Sequence, residues 1–257
     1  SRSVKNFRFF ADFGRNLAEE TYKMSDAVNY VIRKPIGIVG LISPWNLPLY
    51  LLTWKVAPAL LMGNTIIAKP SEITPLTAHY FGKLCTEIGL PDGVLNILNG
   101  YGPEIGQSIV EHPEIKAISF TGGTETGKVV AATAAPMFKK LSLELGGKNA
   151  SIVLEDADLQ SPVPGVLRAS FLNSGQICLC GSRVLIHEAI YEEFLHMYLS
   201  QLKDFKIGPV ISLKHRDKVL SYIELAKQEG GQIVAGGKVI EKDGAWIEPT
   251  VITGLSH

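Results

Sequence analysis

The chain has 257 residues, enough for one large domain or two ordinary ones. Hydrophobic residues make up 46% and charged residues 19%, which excludes a disordered chain and supplies a sizeable core. Lys plus Arg and Asp plus Glu both count 25, so a net charge of zero removes the electrostatic case for nucleic acid or a membrane surface as partner.

Three cysteines argue against a disulfide scaffold and for a reducing, cytoplasmic location. His79, His112, His187, His196, His215 and His257 are scattered, and none stands at a metal-ligand spacing. The chain opens Ser-Arg-Ser-Val-Lys, so no signal peptide is expected. Residues 35–54 carry no charge, but Pro44, Asn46 and Pro48 would break a membrane-spanning helix at its centre. That stretch reads as a buried strand, a tight loop and a buried helix.

In chain order, Val4, Phe7, Phe10, Phe13 and Leu17 fall at helical spacing and predict a helix over 2–20. Residues 28–33 predict a strand with Val28, Tyr30 and Ile32 facing inward. A strand–helix alternation follows. Strands are expected at 36–42, 65–68, 94–98, 117–120, 141–143 and 150–154. Helices are expected at 49–62, from Pro75 to 88 with Thr74 as N-cap, from Gly102 to just before Pro113, and at 125–135. The rhythm continues with helices near 164–172, 189–204 and 214–229 and strands at 183–187 and 232–235. Strands that are apolar on both faces and separated by helices indicate an α/β fold with a parallel, doubly covered sheet. Such sheets bind ligands beyond the carboxyl ends of their strands. The polar, glycine-bearing break at Glu144–Lys148 marks a boundary between domains 1–144 and 145–257.

Several residues at those ends have chemical potential, each beside a plainer reading. Cys178 follows Gly175, whose tight turn can expose a sulfur nucleophile, whereas free cysteines are usually core residues. Glu144 ends a strand before bare backbone and can act as a base or stay a solvated carboxylate. Asn46, between two prolines, can donate to an oxyanion or simply make a turn. The loop Gly122-Gly-Thr-Glu-Thr-Gly127 offers N–H groups at a helix start to a phosphate, or is a structural turn. The strict G-x-G-x-x-G fingerprint is absent, since Gly100-Tyr-Gly102-Pro-Glu-Ile-Gly106 has one residue too many. Lys69 and Glu72 can meet a ribose or remain surface charges.

Taken together, Ser43-Pro-Trp-Asn-Leu-Pro48, Ala68-Lys-Pro-Ser-Glu72, Phe120-Thr-Gly-Gly-Thr-Glu-Thr-Gly127, Leu143-Glu-Leu-Gly-Gly-Lys148 and Asn173-Ser-Gly-Gln-Ile-Cys178 resemble the aldehyde dehydrogenase superfamily in order, spacing and wording. The wording of 41–55 and 177–183 is most similar to the branch that oxidises 2-aminomuconic or 2-hydroxymuconic semialdehyde. The resemblance implies a Rossmann-like cofactor domain over 1–144, with an oligomerisation strand near 28–33, and a catalytic domain over 145–257, both partial. Family chains are about twice this long and carry about ten more residues between Gly208 and Pro209.

The resemblance also implies roles. Cys178 would be the nucleophile, Glu144 the base and Asn46 the oxyanion donor. NAD would meet Ser43, Trp45, Lys69, Ser71, Glu72, Gly102, Gly106, Phe120, Thr121, Gly122, Gly123, Thr124, Gly127, Leu145 and Gly146. The Glu72 carboxylate repels a 2′-phosphate and so favours NAD over NADP. Gly123 departs from the pattern, where Ser is commoner, which removes one hydroxyl from the phosphate contacts. Arg2 would anchor a substrate carboxylate, and Tyr50 and Trp54 would line the approach for a small aldehyde. The implied assembly is a homodimer or homotetramer. An alternative keeps the fold but makes the chain an inactive, truncated homologue with a binding or structural role.

Overall fold

The computed structural model describes residues 1–255, and His257 lies outside them. The chain divides into two compact units, Ser1–Gly146 and a second that begins at Gly147.

The first unit opens with α1 (Arg2–Arg15). It stops five residues short of the expected end, where the Asn16 side-chain amide donates to the Asp12 carbonyl at 2.8 Å and satisfies the last turn. Asn6 is buried and donates to Thr53 Oγ1 (3.0 Å) and to the Tyr50 carbonyl (3.3 Å), tying α1 to a later helix. Next come β1 (Thr21–Lys23), which the sequence reading missed, and β2 (Val28–Tyr30), paired antiparallel. The expectation of a one-sided strand over 28–33 was wrong. Val28, Tyr30 and Ile32 are 47, 70 and 64% exposed, because the pair lies outside the apolar clusters of the unit and has no buried face.

The remainder is an alternating run: β3 (Ile38–Ile42), α2 (Pro48–Leu61), β4 (Thr65–Lys69), α3 (Leu76–Glu87), β5 (Leu95–Ile97), α4 (Gln107–Glu111), β6 (Ile115–Thr121), α5 (Thr124–Ala134) and β7 (Lys140–Glu144). The uncharged stretch 35–54 is therefore β3, a loop and part of α2, and no described helix is long and apolar enough to cross a membrane. One local expectation was wrong. Thr74 does not cap α3; its Oγ1 is buried without a partner and Pro75 precedes the first turn. The segment from Gly102 begins as a π-type turn, Gly102–Gly106, before α4.

The five strands β3 to β7 form one parallel sheet in the order β5-β4-β3-β6-β7. Helices cover both faces. Leu52, Val56 and Ala78 pack with Val39, Leu41, Ile66 and Ala68 in one cluster. Ile109, Val110, Val130 and Ala134 pack with Ile115, Ile118 and Phe120 in another. Full burial of such side chains contributes roughly 1.5–3 kcal/mol each. Gly40 permits this closeness, since a Cβ there would lie 2.5 Å from Ile109 and 2.8 Å from Ile118. The chain moves outward from β3 to β5, then returns to the other side of β3 with β6. That reversal is a topological switch point, where doubly wound sheets open a crevice at their carboxyl ends.

The second unit holds β8 (Ala150–Val153), α6 (Pro162–Phe171), β9 (Arg183–Ile186), α7 (Tyr191–Leu202), α8 (Leu213–Gln228), β10 (Gln232–Ala235) and β11 (Val251–Thr253). β8 and β9 pair in parallel, while β10 pairs antiparallel with β11, a strand absent from the sequence expectations. One core gathers Val153, Leu159, Val163, Val166, Leu167, Phe194, Tyr198 and Leu202. A smaller one gathers Val210, Ile223, Ala245 and Ile247.

Candidate active site

Parallel register brings the candidate residues of the first unit to one edge of the sheet. Ile42 pairs with Lys69 on one side and with Phe120 on the other, and Thr121 pairs with Glu144. The segments after β3, β4, β6 and β7 therefore emerge side by side. They carry Ser43, Trp45 and Asn46; Lys69, Ser71 and Glu72; Gly122 to Thr124; and Glu144 to Gly146.

Lys69 is the last residue of β4, and its side chain is only 3% exposed. Its Nζ donates to the Glu72 carboxylate at 3.2 Å and to the Pro70 carbonyl at 3.1 Å. Both charges are thereby oriented, and the Glu72 side chain stays 40% exposed as an acceptor at the sheet edge. The π-type turn adjoins this pair, because a Cβ on Gly106 would sit 3.7 Å from Lys69 Cδ. Ser71 is buried, and its Oγ accepts from Ile73 N–H at 3.4 Å, so its hydroxyl holds the turn.

The loop after β6 leads into α5 with Gly123 in the N-cap position and no side chain capping it. The first N–H groups of an 11-residue helix are thus left for a negative group to accept. Gly122 has to be glycine for close approach: a Cβ would meet the Phe120 ring at 2.5 Å. Phe120 itself is buried in the core, and it shapes the loop from below. Gly127 and Leu145 belong together, since a Cβ on Gly127 would lie 2.4 Å from Leu145.

Ser43 is 3% exposed at the end of β3, and its Oγ has no partner. An orphaned hydroxyl, an uncapped helix start and a carboxylate held by a buried Lys together fit a dinucleotide along this edge. Asn46 lies half-buried in the same loop, just ahead of α2. Glu144 ends β7 with its side chain exposed, while its carbonyl accepts from Gly122 N–H at 3.0 Å.

Sequence reasoning missed Lys55. It is buried on α2, and its Nζ bonds Ser119 Oγ of β6 at 2.8 Å. Burial lowers its pKa from 10.5 to about 8, and the field of Glu144 partly opposes that. The available signal was a single cation in an otherwise apolar helix.

Arg2, at the start of α1, stacks over the Tyr50 ring at 5.7 Å. Tyr50 and Trp54 lie 6.2 Å apart, and Phe10 meets Trp54 edge-on at 5.8 Å. The three expected substrate contacts thus form one aromatic surface with a cation at its end, and Phe10 joins it.

Cys178 belongs to the second unit. It is exposed, while Cys85 and Cys180 are buried. Burial pushes both of those thiols up in pKa, more than the Ile177 N–H pulls Cys180 back. Cys178 sits in a turn closed by Cys180 N–H to Ile177 C=O at 3.0 Å, and its carbonyl accepts from Asn149 at 2.8 Å. An exposed sulfur on a pinned backbone can act as a nucleophile.

The chain resembles known proteins along its whole length. A profile described as the aldehyde dehydrogenase family matches residues 1–257. A 2-aminomuconic 6-semialdehyde dehydrogenase of Pseudomonas sp is 48% identical over 276 aligned residues, covering 99% of this chain and 56% of that protein. A 2-hydroxymuconic semialdehyde dehydrogenase of Pseudomonas sp. (strain CF600) is 44% identical, with 99% and 57% covered. An NAD+ complex of aldehyde dehydrogenase from Bacillus cereus superposes with a TM-score of 0.96 at 40% identity, covering 99% of this chain and 54% of that one. The chain spans about half the length of the relatives it matches. It belongs to the aldehyde dehydrogenase family.

Proposed function

We propose that the protein oxidises an aldehyde to a carboxylic acid with NAD, and that its substrate is a muconic-type semialdehyde carrying a carboxylate. The observation that carries this reading is the alignment of Asn46, Lys69, Glu72, Gly122–Thr124 and Glu144 along one carboxyl edge of the parallel sheet. The first unit would hold the cofactor and the second would bring the thiol.

Lys69 orients Glu72, which accepts the adenosine ribose hydroxyls and disfavours a 2′-phosphate. The α5 start offers N–H donors to the pyrophosphate. Cys178 thiolate adds to the aldehyde carbon, and the carbonyl electron pair moves onto oxygen. Asn46 and the Cys178 N–H hold that oxyanion. NAD, when bound along the sheet edge, would supply the hydride acceptor that lets the C=O bond re-form on that carbon. A thioester remains on Cys178. Glu144 takes a proton from water, the hydroxide adds to the thioester, and the thiolate leaves as the acid forms. The Arg2 guanidinium, presented on the Tyr50 face, attracts the distal carboxylate of the substrate. The exposed hairpin of β1 and β2 supports association into a dimer or tetramer.

The test is NADH absorbance with NAD and a panel of semialdehydes. Cys178→Ala abolishes the signal. Glu144→Ala gives one equivalent of NADH per site and then stops, with acyl-Cys178 visible by mass. Steady turnover by Glu144→Ala removes that residue from its role. The second reading, an inactive homologue with a binding or structural role, predicts NAD binding without NADH from any aldehyde.

A further inference from the structure

The backbone before Cys178 is unusual. Asn173 (φ 54), Ser174 (φ 56) and Gly175 (φ 75) are three consecutive residues in the left-handed region, and two of them carry side chains. Such a run persists only where the surroundings impose it. Little packing does so here, because Ser174 and Gln176 line a cavity of about 740 Å³ instead of a filled core. Hydrogen bonds do it instead. Ser174 Oγ accepts from Gly208 N–H at 3.0 Å and donates to Gly208 C=O at 2.8 Å. Two residues on, Gln176 Oε1 accepts from Ile211 N–H at 2.9 Å. The segment they grip is itself anchored: Val210 is buried against Ile223, Ala245 and Ile247, and its N–H donates to the Ala245 carbonyl at 2.9 Å.

We propose that Ser174 is a positioning residue. Its two-way clamp on Gly208 holds the left-handed turn and so sets the direction in which Cys178 presents its sulfur. This rests on the reading of Cys178 as nucleophile. Beyond the turn, the chain is fixed again by Gly181 N–H to Ala169 C=O (3.1 Å) and by the Ser170 hydroxyl to Gly181 C=O (2.9 Å). With the Asn149 bond to the Cys178 carbonyl, the thiol is held from both sides, and before it the side chains of Ser174 and Gln176 make the grip, Gln176 Nε2 also donating to the Asn173 carbonyl at 3.0 Å.

The experiment separates the clamp from backbone strain. Ser174→Ala removes the hydroxyl and keeps an unfavourable left-handed residue. Ser174→Gly removes the hydroxyl and relieves that conformation. Both variants of the full chain are treated with iodoacetamide at fixed pH, and modification of Cys178 is timed by peptide mass, with melting temperatures measured in parallel. The clamp predicts that both variants react at least about fivefold slower at Cys178 than the parent, although Ser174→Gly melts higher than Ser174→Ala. It is overturned if Ser174→Gly reacts within twofold of the parent, or if the rates simply follow the melting temperatures. Alkylation needs no turnover, so failure of the dehydrogenase reading appears separately, as absent NADH in the unmodified parent.

Discussion

The two units place their chemistry in different ways. In the first, strand register does the work: once Ile42 pairs with Lys69 and Phe120, the following loops must rise together. In the second, Cys178 lies in an irregular loop, and its position depends on hydrogen bonds between residues 29 to 35 apart in sequence. A site built on paired strands shares the stability of the core beneath it. A site suspended from a few side chains can be retuned one bond at a time.

The largest expected effect tests whether the units answer separately. Phe194 is 1% exposed at the centre of the larger core of the second unit. Phe194→Ala should cost about 3–5 kcal/mol, read by denaturant melts. Hydrogen exchange should rise in β8, β9, α6 and α7 while β3, β4 and β6 stay protected. Loss of protection in both sets would mean that the contrast drawn above is false.

Lys55 probes the first unit. Its amine is neutral in the fold above about pH 8 but stays charged in the unfolded chain up to 10.5. The unfolded state then binds more protons, so stability rises with pH across that window, and the penalty is full below it. Lys55→Met should remove the rise. The stability difference between parent and variant should grow in the parent's favour by about 3 kcal/mol from pH 8 to 10.5, as measured by urea midpoints at several pH values. A flat difference would mean that the amine is charged in the fold.

The smallest effect compares two helix starts. Ser212 Oγ accepts from His215 N–H at 3.1 Å and caps α8, so Ser212→Ala should cost about 1 kcal/mol. Thr74 Oγ1 has no partner before α3, so Thr74→Ala should change stability by less than about 0.5 kcal/mol. Equal losses in thermal melts would restore Thr74 as a cap.

Sequence alone revealed what depends on local pattern. Apolar runs such as Ile38–Ile42 and Ile115–Thr121 announce strands covered on both faces, and the loops after them follow by topology. The hairpin was misread because alternation in 28–33 gives a face but not what covers it. Lys55 was passed over because its partner Ser119 is 64 residues away. The Ser174 clamp stayed hidden for the same reason: nothing near Gly208 in sequence points to residue 174. β11 was lost because three residues behind Pro249 carry too little periodicity. Long-range polar pairing, unlike apolar rhythm, leaves no local trace.

The contrast between one open sulfur and two enclosed ones has a practical corollary. A colorimetric sulfhydryl reagent should count one equivalent on the folded protein and three in denaturant. That stoichiometry meters the folded fraction of any preparation, and a native count above one shows that a core has opened.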